Sequence, residues 1–292
     1  MKHFEGSYAA LVTPFDGQGH INADALGRLI ERNLERGIRG FYVSGSTGES
    51  FLLSMEERKY LTEAVTEAVD GRGDVIVNVG MFATEHGITL AEHAQSCGVD
   101  AISSVPPFYF PFQTGEYMQY YYDLADAVDV PVIVYNIPAL SGVKFSTEEL
   151  SGLLSYEKIA GIKHTSFDLF QLEQLVSSHP DKTVFIGYDE IYLSALSAGA
   201  RAGIGSTYNI MPEKFVRMNE LFSEGRMEEA LQVQSEVNNV VAALGRVGIF
   251  KGIKEILRMQ GIDCGVCRRP FLPLDEAQRA YLRKAGEQNG IL

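Results

Sequence analysis

The chain has 292 residues, 46 % of them hydrophobic, and a formal charge of −13 at pH 7. That length holds one large α/β barrel or two ordinary domains, and the acidic balance makes nucleic acid and anionic membranes poor partners. No apolar run approaches the roughly 20 residues of a membrane span, and Met1-Lys2-His3-Phe4-Glu5-Gly6 lacks the apolar segment of a signal peptide.

Short apolar runs alternate with amphipathic helical stretches. The first predicted strand is Tyr8–Val12, closed by Pro14, and the second is Gly40–Ser44. Ser54 before Met55-Glu56-Glu57 is a capping box that opens a helix toward Val69. Strand three, Val75–Val79, is followed by a helix capped at Thr84 and stopped at Cys97-Gly98. Strands four to eight are Ala101–Val105, Val130–Tyr135, Ile159–Lys163, Thr183–Ile186 and Ala202–Ile204. Thr114, Ser146 and Asp168 read as further N-caps, and Pro212 suits the first turn of the helix after strand eight.

Eight strands alternating with helices predict a parallel sheet. At this length closure into a (β/α)8 TIM barrel is the natural solution. An open doubly wound sheet would carry a glycine-rich turn after its first strand, and Thr13-Pro14-Phe15-Asp16-Gly17 is not one. About three additional C-terminal helices follow, predicted at Met227–Leu244, Ile249–Met259 and Asp275–Lys284. The expected organisation is a catalytic barrel over residues 1–225 and a helical extension over 226–292 packed onto it.

In such a barrel functional groups sit at the C-terminal ends of the strands. Polar and glycine-rich residues collect there. Ser44-Gly45-Ser46-Thr47-Gly48-Glu49 closes strand two, Tyr135-Asn136-Ile137-Pro138 strand five and Lys163-His164-Thr165-Ser166 strand six. Gly187-Tyr188-Asp189-Glu190 closes strand seven, and Gly205-Ser206-Thr207-Tyr208-Asn209 strand eight. Strand alternation puts Gly161, Lys163 and Thr165 on one face and Ile162 and His164 on the other.

A lysine ending an apolar strand either snorkels to solvent or is buried. Burial disfavours its charge and frees a nucleophilic amine suited to forming a Schiff base with a ketone. Tyr135 is a candidate proton carrier beside it. Ser46 and Thr47, between glycines, can nest a carboxylate or phosphate, but no Gly-Lys-Ser/Thr follows, so the turn is not a P-loop. Asp189-Glu190 suits a helix N-terminus as well as a binding site.

No metal site and no cofactor are expected, and His86 and His93 read as residues of a solvated helix face. Cys97, Cys264 and Cys267 read as ordinary reduced thiols, which points to the cytoplasm.

These motifs carry a resemblance. Gly45-Ser46-Thr47-Gly48-Glu49, Tyr135-Asn136-Ile137-Pro138 and Gly161-Ile162-Lys163 resemble the signatures of the dihydrodipicolinate synthase / N-acetylneuraminate lyase superfamily, whose members are class I aldolases acting on pyruvate. The likeness runs from about Tyr8 through the C-terminal helices. Tyr135–Val143, Gly187–Ile191 and Gly203–Met211 are similar to its sialic acid-cleaving branch. The synthase branch carries an arginine where this chain has Leu140. A guanidinium clamps a carboxylate and a leucine cannot, so position 140 disfavours an aldehyde that bears one.

The resemblance implies reversible retro-aldol cleavage of N-acetylneuraminate (sialic acid) to N-acetylmannosamine and pyruvate. It implies Lys163 as the Schiff-base residue, Tyr135 as proton donor and acceptor, and Ser46 with Thr47 holding the substrate carboxylate. It further implies Thr165, Gly187, Asp189, Glu190, Ser206, Leu140 and Phe250 around the sugar, and Tyr109 reaching into a neighbouring subunit's site in a homotetramer. Competing readings are a dihydrodipicolinate synthase, a 2-keto-3-deoxy-sugar-acid aldolase and a non-catalytic binding protein on the same scaffold.

Overall fold

In the computed structural model, which describes residues 2–292, most strands are buried along their whole length. A sheet with two apolar faces must be covered on both, and closing it with helices outside does that. The strands are β1 (Gly6–Ala10), β2 (Gly40–Val43), β3 (Asp74–Asn78), β4 (Ala101–Ser104), β5 (Val132–Asn136), β6 (Ile159–His164), β7 (Thr183–Ile186) and β8 (Ala202–Gly205). They form a closed barrel in sequence order, all parallel, with β8 against β1.

The helices are α1 (Ala23–Glu35), α2 (Met55–Val69), α3 (Thr84–Ser96), α4 (Thr114–Ala127), α5 (Pro138–Ser141), α6 (Thr147–Leu154), α7 (Leu169–Ser178), α8 (Tyr192–Ser197), α9 (Pro212–Ser223), α10 (Met227–Val247), α11 (Ile249–Met259) and α12 (Glu276–Gln288).

Two cores result. Alternate strand residues such as Val77, Val134 and Ile162 pack outward against the helices. Tyr8, Tyr42, Ile76, Ile133, Tyr135, Phe185 and Ile204 fill the barrel interior. Tyr8 meets Phe4 and Phe185 edge to face at the bottom, and those two rings are tilted against each other, so the interior is a packed plug and the free volume lies above it.

The structure corrects several boundaries. The first strand is Gly6–Ala10, not Tyr8–Val12: the Leu11 N–H gives the last rung to the Tyr42 carbonyl at 3.0 Å, and Val12 is buried past the end of the ladder. Strand five begins at Val132, not Val130. The Gln95 side chain accepts from the N–H groups of Asp129 and Val130, and Pro131 has none to give. Thr84 and Thr114 are first helical residues rather than caps; ahead of Thr114, the Gln113 N–H donates to Glu116 Oε2 at 2.6 Å.

Ser54 and Ser146 form capping boxes, Asp168 caps α7, and Pro212 opens α9. The last three helices lie where the pattern puts them, with α10 running on to Val247 and Asp275 capping α12. Gln234 of α10 donates to the Asp189 carbonyl at 3.0 Å and accepts from Leu193 N–H at 2.9 Å. These bonds tie the extension to the loop after β7. No helix among the described residues is long and apolar enough to cross a membrane.

Candidate active site

The β5–β6 register pairs Tyr135 with Lys163, and both side chains turn inward at the C-terminal end of the barrel. Lys163 Nζ lies 4.0 Å from the Tyr135 ring centroid and 4.1 Å from that of Tyr42. Only 3 % of Lys163 is exposed. Burial pulls its ammonium down to about 7, against the opposing pull of the Asp189 carboxylate. A substantial fraction of the amine is therefore neutral at physiological pH. His164, next in sequence, faces the other way, with Nε2 3.0 Å from the Asp168 carbonyl.

Burial pushes the Tyr135 phenol up to about 12, with Ser46 and Thr165 moderating the rise. Tyr135 is thus a neutral hydroxyl, able to relay a proton by passing its own on as it accepts another. Thr165 Oγ1 is buried and makes no hydrogen bond of good geometry, so it is free for a ligand. Its position depends on Gly187, where a Cβ would stand 1.9 Å from that oxygen.

Asp189 follows β7 in a single 3-10 turn. Its Oδ2 accepts from Thr207 N–H at 2.8 Å and Thr207 Oγ1 at 2.6 Å, while the buried Oδ1 has no partner. Burial raises its carboxyl to about 6 despite these two donors and Lys163. A buried orphan oxygen is costly, and this one packs against Gly205, where an added Cβ would stand 1.9 Å from it.

The loop after β2 is bracketed by two non-glycine residues in left-handed conformations, Ser44 (φ 55) and Glu49 (φ 60), of a kind that persists only where the surroundings enforce it. Asn78 Nδ2 holds the Ser44 carbonyl at 2.7 Å. The Glu49 carboxylate takes Lys254 Nζ at 2.7 Å on one oxygen and the Arg268 N–H at 2.7 Å on the other. Between these anchors Thr47 Oγ1 meets Ser206 Oγ at 2.7 Å. Among the described residues, the N–H groups of Ser46 and Thr47 are not spent on backbone bonds in the turn, which suits them to an anion.

The cavity over Lys163 measures about 150 Å³. The structure brings Ser46, Thr47, Tyr135, Leu140, Lys163, Thr165, Gly187, Asp189, Glu190, Ser206 and Phe250 together in its wall. It adjoins a more apolar space of about 300 Å³ under Phe51, Phe108 and Phe271, with Ser46, Ile137, Leu140 and Phe250 shared between the two. Tyr109 is the predicted site residue that lies apart: 75 % of it is exposed, and its ring packs on Phe82 and Phe110.

Three features escaped the sequence. Tyr42, under the amine, had only its inward strand parity to mark it. Thr207, which holds Asp189, lies in a motif already noted for its neighbour Ser206. The Glu49–Lys254–Arg268 anchor joins distant segments and left no local signal.

Comparison with known proteins bears on this geometry. Residues 3–289 match the dihydrodipicolinate synthetase family. An N-acetylneuraminate lyase of Salmonella typhimurium is 42 % identical over 289 residues, covering 98 % of this chain and 97 % of that one. The structure of CdNal from Clostridium difficile in complex with mannosamine superposes with a TM-score of 0.96 at 34 % identity, over 99 % of this chain and 100 % of the other. A dihydrodipicolinate synthase from Bacillus anthracis gives a TM-score of 0.95 at 29 % identity, over 98 % and 99 % of the two chains. Backbone shape therefore does not separate those two activities, and the residues of the site must. With the lysine, the tyrosine and the hydroxyl loop assembled on one barrel mouth, and the match running nearly end to end, this chain belongs to the dihydrodipicolinate synthetase family.

Proposed function

We propose that this protein is a class I carbon–carbon lyase that reversibly cleaves N-acetylneuraminate to N-acetylmannosamine and pyruvate. The observation that carries the reading is the buried Lys163 amine, held near half-neutral beside Tyr135, with the uncharged Leu140 rather than a cation at the cavity wall. The 42 % identity to a lyase of that activity supports the choice of substrate.

Each step then has a residue suited to it. The substrate carboxylate sits on the Ser46–Thr47 turn. The neutral Lys163 amine attacks the C2 ketone of the open-chain sugar, and loss of water leaves an iminium. Tyr135 relays the proton of the C4 hydroxyl, passing its own phenolic proton to the substrate carboxylate as it accepts the new one, while the C3–C4 bond breaks. The bonding electrons pass into the iminium and give an enamine and the free aldehyde. Proton return to C3 and hydrolysis release pyruvate and regenerate the amine. The lysine is itself the electron sink, so the scheme calls on no cofactor. Thr165, Asp189, Glu190, Ser206 and the Gly187 backbone would take the sugar hydroxyls, with Phe250 against its apolar side.

The working form is a cytoplasmic homotetramer. Two separate groups of exposed aromatics, one of Phe82, Tyr109 and Phe110 and the other of Phe167, stacked on the half-buried Tyr188, with Phe170, support two different subunit contacts. The first suits Tyr109 to a neighbour's site. The three free thiols are in keeping with the compartment.

The decisive experiment is pyruvate release from N-acetylneuraminate, with a parallel borohydride quench and peptide mapping. Release together with a reduced adduct on Lys163 is expected. An adduct with pyruvate but no turnover of the sugar would keep the chemistry and reject the substrate. No adduct under either condition would reject the lyase.

A further inference from the structure

On the outer wall of the barrel, far from the cavity, α2 and α3 bring together three groups that the chemistry above does not use. His93 and Cys97 are one helical turn apart at the end of α3, a spacing that puts both on one face. Glu63 comes from the neighbouring α2. His93 Nε2 lies 2.8 Å from Glu63 Oε1. Cys97 Sγ lies 3.9 Å and 4.0 Å from the two ring nitrogens of His93. One ligand atom from each residue fits within a sphere where all lie within 4.8 Å of one another.

A hydrogen bond between Glu63 and His93 accounts for two of the three groups. It does not account for the thiol packed against the imidazole. Thiolate, imidazole and carboxylate together are the donor set of zinc, with bond lengths of about 2.0–2.3 Å, which places the ligand atoms about 3–4 Å apart around the ion. The His93–Glu63 and Cys97–His93 separations of 2.8 Å and 3.9 Å bracket that spacing, and the sulfur and the carboxylate oxygen lie within 4.8 Å. Sγ is nearly equidistant from both ring nitrogens, so a side-chain rotation of Cys97 or His93 would bring the sulfur and Nε2 onto one ion.

The site leaves room for this. The side chains of His93 and Glu63 are 20 % and 57 % exposed, so they can turn and water can take a fourth position. The sulfur ligand favours zinc-like ions over magnesium or calcium. The place is also distinct from the aromatic patch at Phe82, about 20 Å away along α3. The turn after Cys97 leads into the N-terminal end of β4, opposite the catalytic mouth.

We propose that Glu63, His93 and Cys97 form a binding site for one divalent transition-metal ion of the zinc class, which staples α2 to α3. On binding, the Cys97 thiol gives its proton to solvent, the Glu63–His93 hydrogen bond is replaced by two bonds to the ion, and no electron is transferred.

The test is a Co²⁺ titration of the reduced, metal-free, full-length protein. The expected result is one equivalent bound, with a thiolate-to-cobalt charge-transfer band that Zn²⁺ abolishes. Cys97→Ser should remove the band, and His93→Ala should weaken binding by about tenfold or more. Zn²⁺ should raise the Tm of the parent protein and leave that of His93→Ala unchanged. Cys264→Ser/Cys267→Ser should keep the band, and pyruvate release should be the same in the parent and in Cys97→Ser. Absence of the band, its survival in Cys97→Ser, or its loss in Cys264→Ser/Cys267→Ser would each overturn the assignment.

Discussion

Lys254 of α11 reaches Glu49 at 2.7 Å, and the two side chains are only 2 % and 0 % exposed. This ion pair joins the C-terminal extension to the loop that carries Ser46 and Thr47, and Glu49 holds a left-handed backbone there. Removing one partner of a buried pair leaves an uncompensated charge and costs about 3 kcal/mol or more. Lys254→Met should therefore lower stability in denaturant melts. It should also raise KM for the keto acid more than it lowers kcat, because in the proposed mechanism the loop holds the carboxylate and not the reacting carbons. Replacing both partners, Glu49→Leu with Lys254→Met, should restore much of the stability but not the KM. An unchanged KM in Lys254→Met would separate the pair from the anion loop.

Lys163 links activity to pH with a definite sign. In the proposed mechanism its reactive form is the neutral amine, and burial lowers its folded-state value to about 7 against an ordinary 10.5. The kcat/KM profile should therefore fall as pH drops through about 7. The unfolded chain binds more protons than the folded one between these two values, so this group makes stability rise with pH across that window. Its cost is full below about 7 and gone above 10.5. Lys163→Met should abolish turnover yet melt higher than the parent near pH 6, by about 1–3 kcal/mol, with the gain shrinking at alkaline pH. Equal stability of the two proteins across the range would mean that Lys163 is charged in the fold.

The sequence reveals what repeats locally and hides what depends on distant partners. Strands were legible because both their faces are buried, and Lys163 stood out because it breaks an apolar run with the inward parity of Gly161. Val12 looks like strand and is not, since only the ladder distinguishes pairing from burial, and the ladder ends with the Leu11 N–H on the Tyr42 carbonyl. Tyr42 looks like any core aromatic until the barrel closes and sets it under the amine. Glu49 was read with its loop, but the Arg268 N–H that holds it is 219 residues away, and no local pattern announces that. Thr84 and Thr114 show the limit for caps, where a good capping residue one position late is simply the first helical residue.

Gly187 tests how tightly the sugar side is built. An added Cβ would stand 1.9 Å from Thr165 Oγ1 and 2.9 Å from Thr165 Cβ, and a β-branched side chain has little freedom to give way. Gly187→Ala should lower kcat/KM by about tenfold or more through displacement of Thr165, with a fall in Tm. Adding Thr165→Ala removes the worse contact and should recover part of the Tm while leaving activity low. Full activity in the double variant would show that Thr165 plays no part in binding.

Leu140 tests what reads the aldehyde. It lines both cavities, yet 64 % of its surface is exposed, so a guanidinium can be placed there without being buried. Leu140→Arg should fold normally. In the condensation direction it should shift preference from N-acetylmannosamine toward an aldehyde that carries a carboxylate. A charged hydrogen bond contributes about 1.5–3 kcal/mol, so the ratio of the two kcat/KM values should change roughly tenfold or more. Lys163 chemistry should be intact, seen as an undiminished borohydride-trapped pyruvate adduct. That control keeps the outcomes apart: an unchanged ratio with a normal adduct would mean that position 140 does not read the substrate, and selection against a charged aldehyde would then have to come from Asp189 and Glu190 on the opposite wall.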